Sequence, residues 1–317
     1  MEVQNALANR IDTANKMLTY DEACKQVLAN KIILAWIMRE CLKEYKYTSV
    51  EEIAERFIEG EPVVSKEAVH VDESAEFITG MNTENATMKE GTAKFDIKFR
   101  AVLPETEEAV DKIINVEAQN DFYPGYPIIK RGVYYGCRMI SSQYGTVFED
   151  SEYQKIKRVA SVWICTNPPA YRRNTITRYH MVEESVYGDV KENPDNYDLI
   201  TVAMVCLGGN DTEGKQELVD MLGVLLSRKI EPEEKKATLK ERFGIAMTKK
   251  LEGDVMRMCN LSKGIYDEAV DNTLVETIKN LLDTTDWDIE LCMDKMKIPS
   301  EKRQAYKDAV LGQMVSA

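Results

Sequence analysis

Apolar and polar positions along the first sixty residues follow the spacing of helices. Apolar residues recur every three or four positions between Asp21 and Tyr45, which predicts one long helix. Ser49 followed by Glu52 is a capping box, in which each side chain can bond the backbone of the other residue. We therefore predict a second, short helix that ends near Ile58.

The middle of the chain changes to short apolar runs separated by turn residues, a pattern typical of strands. Helical spacing returns in two regions, between Tyr123 and Tyr144 and throughout the part of the chain after Asp211. Val159–Cys165 is an unbroken apolar run, which indicates a strand that is covered on both faces. The strands predicted in this way are Phe77–Thr79, Ala93–Val102, Lys112–Ala118, Val159–Cys165, Tyr179–Val186 and Leu199–Leu207.

This order of elements predicts an α/β fold. Strands that alternate with helices, with one strand enclosed, favour a mixed central sheet flanked by helices. A helical C-terminal region follows the last strand. We place the boundary at residue 210, which gives a sheet domain over 1–210 and a helical region over 211–317.

Composition and charge exclude some functional classes and draw attention to one segment. The 317 residues are 44% hydrophobic and 30% charged, so the chain is neither disordered nor of low complexity. A net charge of −13 argues against a protein covered with polyanion-binding surface. The segment Tyr123–His180, however, has nine basic residues against three acidic ones, a net +6, which leaves −19 on the rest.

Cysteine usage and apolar run lengths predict the compartment. The seven cysteines are scattered and form no C-x-x-C motif, which favours a reducing cytoplasm over a disulfide framework or a thiolate zinc site. No cationic-then-apolar leader is visible, and the apolar run near Ile32–Met38 is far shorter than the roughly 18 residues of a membrane span. We expect a cytoplasmic protein with no membrane partner.

Two predicted strands carry carboxylates among apolar residues. Asp96 lies in the predicted strand Ala93–Val102, and Glu117 lies in the next one, Lys112–Ala118. Gln119 points to the same face as Glu117 because strand side chains alternate. Carboxylate oxygens are the ligands that Mg²⁺ prefers, and a bound Mg²⁺ can polarise a phosphoryl oxygen and activate water. The pattern therefore fits a metal-dependent phosphodiesterase.

A purely structural role for the same acids stays open at this stage. An Asp or Glu in a strand commonly faces solvent or lies at a sheet edge. Two buried carboxylates need a cation nearby, and that cation can be a structural Lys or Arg as well as a metal ion. Spacing alone does not separate these alternatives.

Short motifs spread over most of the chain carry a further signal. They are Asn82–Glu84, Phe95–Ile97, Ile114–Gln119, Tyr126, Arg131, Tyr134–Tyr135, Ser142–Gln143, Val162–Cys165, Met258–Ser262 and Ile298–Pro299. In this order of elements they resemble the PD-(D/E)XK nuclease superfamily and, within it, the bacterial PD-(D/E)XK family transposases and recombination-promoting nucleases. The resemblance implies a restriction-endonuclease-like fold and metal-dependent cleavage of DNA.

The resemblance implies roles for the strand residues. Asp96 and Glu117 match the metal-binding acids of the superfamily, so the implied cofactor is Mg²⁺ or Mn²⁺. Gln119 falls where many members have a catalytic Lys, and an amide can hold water by a hydrogen bond without supplying charge. Glu84 is the matched candidate for an additional acid, with Glu40 and Glu51 as alternatives on the early helices.

Three arginines are candidates for binding phosphate and DNA. Arg131 shares a helix face with Tyr134 or Tyr135, and its alternative roles are pairing with Glu117 or packing on the sheet. Arg172 and Arg173 follow Tyr171 in a stretch that mixes aromatic and basic residues. Gln143 is a further candidate for the same site, with a solvent contact at the helix end as the simpler alternative.

The sequence thus predicts a metal-dependent DNA endonuclease, with DNA as its partner. The alternative is a relative with weak or no catalysis that acts as a nucleic-acid-binding or protein-interaction module; Gln119 and the charge of −13 favour it. The helical region, with 21 acids against 17 bases after residue 210, would suit a protein partner. Self-association into a homo-oligomer also stays open.

Overall fold

A computed structural model describes residues 20–60, 62–64, 84–87, 91–94, 96–104, 111–208 and 216–314. The chain forms two compact units. One comprises Asp21–Met258, and the described part of the other comprises residue 20 and residues 259–314. The boundary predicted at residue 210 falls within residues 209–215, which lie outside the described residues, so the predicted domain division stays a prediction.

A mixed sheet of six strands organises the larger unit, in the spatial order β1-β4-β5-β6-β8-β7. Strands β5, β6 and β8 are parallel, whereas β4, β1 and β7 each run antiparallel to a neighbour. Strands β2 and β3 form a separate hairpin. The bounds are β1 Val63–Val64, β2 Glu84–Thr87, β3 Gly91–Lys94, β4 Ile97–Val102, β5 Asp111–Asp121, β6 Val159–Asn167, β7 Thr175–His180 and β8 Ile200–Cys206.

The enclosed strand that the sequence predicts is confirmed. In β6 every residue from Val159 to Cys165 is buried, and β5 and β8 pair with it on either side. A strand with parallel neighbours and covered faces needs apolar side chains at consecutive positions. The α/β class, with a mixed sheet flanked by helices and a helical C-terminal region, is therefore confirmed.

The helices of this unit begin and end near the predicted positions, with one added break. The predicted helix Asp21–Tyr45 is two helices, because the Asn30 side chain accepts a hydrogen bond from the Ile32 amide at 3.0 Å and caps a new start. The bounds are α1 20–28, α2 Lys31–Cys41, α3 Val50–Glu52 with a π turn to Phe57, α4 Ile128–Ser141, α5 Glu217–Leu226 and α6 Pro232–Phe243.

Helix α4 lies close against β6 and β8 because two glycines face the sheet. A Cβ atom at Gly132 would come within 2.7 Å of Val202 and 3.0 Å of Trp163, and one at Gly136 within 2.6 Å of Ile200. Only glycine permits this approach. The helix is shorter than the predicted Tyr123–Tyr144.

The strand predicted over Tyr179–Val186 is wrong in position. Strand β7 covers Thr175–His180, and its last residue pairs with Thr201 near the beginning of β8. Strand β8 begins only one residue before Thr201, at Ile200, and residues such as Val182 and Val186 are exposed. The predicted strand Phe77–Thr79 lies outside the described residues.

The C-terminal unit is helical, as predicted. Its helices are the later part of α7 (Lys249–Thr284), α8 (Ile289–Lys295) and α9 (Ser300–Met314), and Asp288 caps α8 through the Leu291 amide. Their shared core contains Ile278, Cys292, Met293, Tyr306 and Val310. None of the helices in the described ranges combines the length and apolar character that crossing a bilayer requires.

Candidate active site at Asp96 and Glu117

The register of β4 and β5 brings Asp96 and Glu117 together. Ile97 pairs with Val116, so Asp96 lies opposite Glu117, in a bend just before β4 begins. The Asp96 amide donates to Oε1 of Glu117 at 3.0 Å, and the Ala118 amide donates to Oδ2 of Asp96 at 3.1 Å. These reciprocal bonds hold the two carboxyl groups, hereafter the acid pair, at the junction of the strands.

Glu117 is deeply buried. Its residue surface is 3% exposed, and the Asn115 side-chain amide donates to its Oε1 at 2.9 Å. Asn115 lies two positions earlier in β5, so it shares the face of Glu117. Within the described residues, the buried Oδ1 of Asn115 has no hydrogen-bond partner. The site therefore combines a buried acid with an unsatisfied oxygen.

Burial makes ionisation of the acid pair unfavourable. The pKa of Glu117 lies well above its ordinary value, because burial penalises its charged form and the Asp96 charge adds to the penalty. The pKa of Asp96 is also raised, since burial outweighs the opposing influence of Lys25. A cation placed at this site would relieve the penalty.

Lys25 on α1 supplies part of the positive charge that the acid pair needs. Its Nζ lies 3.0 Å from Oδ1 of Asp96 and 2.6 Å from Oδ2 of Asp21, and the residue is almost wholly buried. Burial lowers the pKa of Lys25, but the two carboxylates outweigh burial and raise the pKa above its ordinary value. Lys25 is thus the kind of structural cation that the sequence left open, but it contacts only Asp96 of the acid pair.

Arg131 adjoins the acid pair from α4. Its Nη1 donates to the Tyr126 hydroxyl and its Nη2 to the Tyr135 hydroxyl, both at 2.7 Å, and its guanidinium carbon lies 5.3 Å from the centre of the Trp163 ring. The predicted shared helix face of Arg131 and Tyr135 is confirmed. The arginine charge lowers the pKa of Glu117, although burial and Asp96 have larger effects.

Gln119 follows on the same face of β5, opposite Cys165 of β6. It is partly exposed, unlike Glu117 and Asn115. Its position near the end of the strand puts a polar side chain between the buried acid pair and solvent. An amide there can donate and accept hydrogen bonds with water.

The candidates for an additional acid do not join the pair through any described contact. The side chain of Glu84 lies outside the described residues, and only its backbone pairing with Lys94 is seen. Glu40 accepts hydrogen bonds from Arg39 and Gln216, and Glu51 is exposed. Over the described ranges, no three side chains of His, Cys, Asp or Glu converge as a metal-ligand set.

Gln143 occupies a different place from the one predicted. It is buried at the end of α4, where its Oε1 accepts from the Lys157 amide at 2.7 Å and its Nε2 donates to the Lys157 carbonyl at 2.9 Å. Lys157 precedes β6, so this contact lies at the opposite end of the sheet. Both predicted roles, lining the acid site and contacting solvent, are wrong.

The other two predicted arginines lie after β6. The Arg172 guanidinium carbon is 4.7 Å from the centre of the Phe122 ring, and Arg173 is exposed. Phe122 follows β5, so these arginines lie at the same end of the sheet as the acid pair. They do not contact the carboxylates themselves in any described interaction.

Three residues of the site were missed in the sequence. Asp21 and Lys25 stand four apart on a predicted helix, the spacing of a helical ion pair, and that pattern could have marked them as a unit. Asn115 alternates with Glu117 and Gln119, so strand periodicity could have placed it on the same face. Nothing local indicates that α1 reaches Asp96.

Comparisons with known proteins give no relative. No protein-family model matches the chain. No curated protein matches it, and no solved structure matches it. The resemblance to the PD-(D/E)XK superfamily consequently rests on the motif residues of the sequence alone and stays an expectation.

Proposed function

We propose that this protein is a metal-dependent DNA endonuclease of the PD-(D/E)XK type that hydrolyses phosphodiester bonds at the acid pair. The observation that carries the proposal is a buried Glu117 whose pKa is strongly raised by burial and by Asp96 opposite it. A fold retains such an unfavourable pair chiefly where the charge has a use. The resemblance to transposase-like nucleases supplies the reaction class.

The residues present fit a hard divalent cation. Mg²⁺ commonly binds through one or two carboxylates and keeps its remaining positions for water and substrate phosphate, so a three-acid set is not required. The unpartnered Oδ1 of Asn115 adds a buried oxygen in need of a positive partner. Asp96 and Glu117 would hold the ion, which would polarise a phosphoryl oxygen and lower the pKa of water.

The other side chains of the site have separate roles in the proposal. Lys25 is a positioning residue that keeps Asp96 ionised and oriented through its 3.0 Å contact. Gln119 orients the attacking water by hydrogen bonding. Arg131, held by Tyr126 and Tyr135, steadies the scissile phosphate with its remaining donor capacity.

The reaction consumes only water besides the DNA and involves no change of oxidation state. A bond forms between the oxygen of water and phosphorus, and the bond between phosphorus and one sugar oxygen breaks. The proton released by the water accounts for the proton on the new sugar hydroxyl. The products are a phosphate monoester and an alcohol.

The test is cleavage of plasmid and linear duplex DNA in the presence of Mg²⁺ or Mn²⁺. We expect Asp96→Asn and Glu117→Gln to lose on the order of a thousandfold in rate, which corresponds to the several kcal/mol that a metal ion contributes to phosphoryl chemistry. Glu51→Gln is the matched control, since it makes the same chemical change at an exposed acid. Equal cleavage by wild type, Glu117→Gln and Glu51→Gln would contradict the assignment.

A second candidate is a non-catalytic relative that binds nucleic acid or protein. Gln119 in place of a lysine and the Lys25 contact with Asp96 favour it, because both weaken the case for efficient chemistry. This alternative predicts that wild type takes up no divalent ion and cuts no DNA. Binding of DNA that weakens steeply with salt would then identify a nucleic-acid module.

A further inference from the structure

Two exposed tyrosines meet where β5 and β6 end. Tyr123 is 58% exposed and Tyr171 is 70% exposed, and their hydroxyl oxygens lie 2.6 Å apart. One residue follows β5 and the other follows β6, so the contact joins two separate loops. Exposed aromatic side chains in a group mark binding surfaces more often than isolated ones do.

Positive charge accompanies these rings. The Arg172 guanidinium carbon lies 4.7 Å from the centre of the Phe122 ring and 5.6 Å from that of Tyr171, and Arg173 next to it is exposed. We call Tyr123, Tyr171, Arg172 and Arg173 the tyrosine surface; Phe122 lies buried beneath it. The tyrosine surface belongs to the segment Tyr123–His180, which carries +6 while the rest of the chain carries −19. The charge favours an anionic partner, and the exposed rings favour one that also offers flat aromatic groups, as nucleic acid does.

The tyrosine surface continues toward the acid pair. Strand β5 carries Glu117 and ends at Asp121, two residues before Tyr123. Arg131 donates to the exposed Tyr126, and its charge lowers the pKa of Glu117. Rings and cations thus border the proposed active site at the same end of the sheet.

We propose that the tyrosine surface binds single-stranded nucleic acid by stacking unpaired bases on its rings, while its arginines contact the phosphates. Any base offers a π face to an aromatic ring, so stacking tolerates all sequences. In a duplex these faces are already occupied by neighbouring base pairs. This inference deepens the proposed function, on which it rests for the role of the acid pair, by naming single-stranded DNA as its substrate.

The test is fluorescence anisotropy with a labelled single strand and with a duplex of the same length, in EDTA so that no cleavage occurs. We expect wild type to bind the single strand at least about tenfold more tightly than the duplex. The double variant Tyr123→Ala with Tyr171→Ala loses at least about tenfold in affinity for the single strand. The double variant Tyr123→Phe with Tyr171→Phe keeps both rings and should bind the single strand as tightly as wild type.

Matched controls lie elsewhere on the same chain. Tyr47 and Tyr187 are 94% and 101% exposed and lie outside the tyrosine surface, so Tyr47→Ala and Tyr187→Ala remove rings that are more exposed than those of Tyr123 and Tyr171. Both controls should bind the single strand like wild type. Because all four positions are on the surface, circular dichroism should show folded protein in every case.

Three outcomes would overturn the inference. The first is that the double alanine variant binds the single strand as tightly as the controls do. The second is that wild type binds the duplex as tightly as the single strand. The third is that wild type binds no nucleic acid, which would indicate a protein partner for the surface. Separate measurements distinguish the two proposals, because binding of the single strand in EDTA tests the tyrosine surface and cleavage with Mg²⁺ or Mn²⁺ tests the acid pair. If wild type binds the single strand but cleaves no DNA, only the proposed function is contradicted.

Discussion

Buried charges lie at both ends of β5, and the two ends differ in how those charges are balanced. At the beginning of the strand, Lys112 is buried and its Nζ lies 2.8 Å from Oε1 of Glu44, which Arg158 also approaches at 3.6 Å. Near the other end, Glu117 is equally buried, and within the described residues no cation reaches it by an ion pair. One strand thus carries a compensated cluster and an uncompensated acid.

The pKa directions express the same difference. Burial opposes ionisation of Glu44, but Lys112 and Arg158 together outweigh burial and lower the pKa of Glu44 below its ordinary value. Burial also lowers the pKa of Lys112, and Glu44 offsets that effect only in part. For Glu117, burial and Asp96 act together and raise the pKa. A compensated buried charge is tolerated by the fold, whereas an uncompensated one costs stability and is best accounted for by function.

The largest expected effect on stability comes from replacing one acid by its amide at each end of β5. Glu44→Gln leaves Lys112 buried without its anion and should lower the free energy of unfolding by about 3–5 kcal/mol. Glu117→Gln removes an unfavourable charge, so at neutral pH it should be at least as stable as wild type. Urea unfolding of the two variants and wild type, without divalent ions, checks both expectations.

The stability difference between Glu117→Gln and wild type should depend on pH. Because the pKa of Glu117 is raised in the folded state, its contribution to stability is present below the pKa of the unfolded chain and is lost as the pH rises through the folded-state pKa. The advantage of Glu117→Gln over wild type should therefore be absent near about pH 4 and grow toward about pH 8. If Glu117→Gln proves as destabilising as Glu44→Gln, the two ends do not differ as described.

A smaller effect is expected at Lys25. Removing its charge in Lys25→Met should raise the pKa of Asp96 further, because the ammonium group opposes the effect of burial. Cleavage at neutral pH should fall by roughly tenfold, and the pH profile should move to higher pH. Lys25→Arg keeps the charge and should restore the profile.

The control for Lys25 is an exposed lysine in an ordinary ion pair. Lys155 contacts Glu152 at 2.6 Å on the surface, and Lys155→Met should leave the pH profile unchanged. A Lys25→Met protein with a slower rate but an unmoved pH profile would assign Lys25 a role in folding alone.

Periodicity predicted the elements better than their limits. The unbroken apolar run Val159–Cys165 identified the buried strand, because a strand exposed on one face would alternate apolar with polar residues. The predicted strand Ala93–Val102 instead divides into β3 and β4, with Asp96 in the bend between them. That bend frees the Asp96 amide to bond Glu117, a long-range contact that no local pattern reveals.

The site was predictable only in part, for the same reason. Acids among apolar strand residues singled out Asp96 and Glu117, alternation along β5 placed Gln119 on the face of Glu117, and the resemblance gave the acids their metal-binding role. The approach of Lys25 depends on where α1 lies against the sheet, which is a tertiary contact across 71 positions. Gln143 was misplaced because a polar residue at a helix end is exposed by default, whereas here it satisfies the backbone of Lys157.

Calorimetric titration of Mn²⁺ into wild type and Glu117→Gln tests the central claim most directly. The account predicts that wild type and the control Glu51→Gln take up the ion with equal affinity and that Glu117→Gln binds it at least about tenfold more weakly. Indistinguishable binding by wild type and Glu117→Gln, or no uptake by wild type at millimolar ion, would contradict a metal-dependent nuclease site at the acid pair.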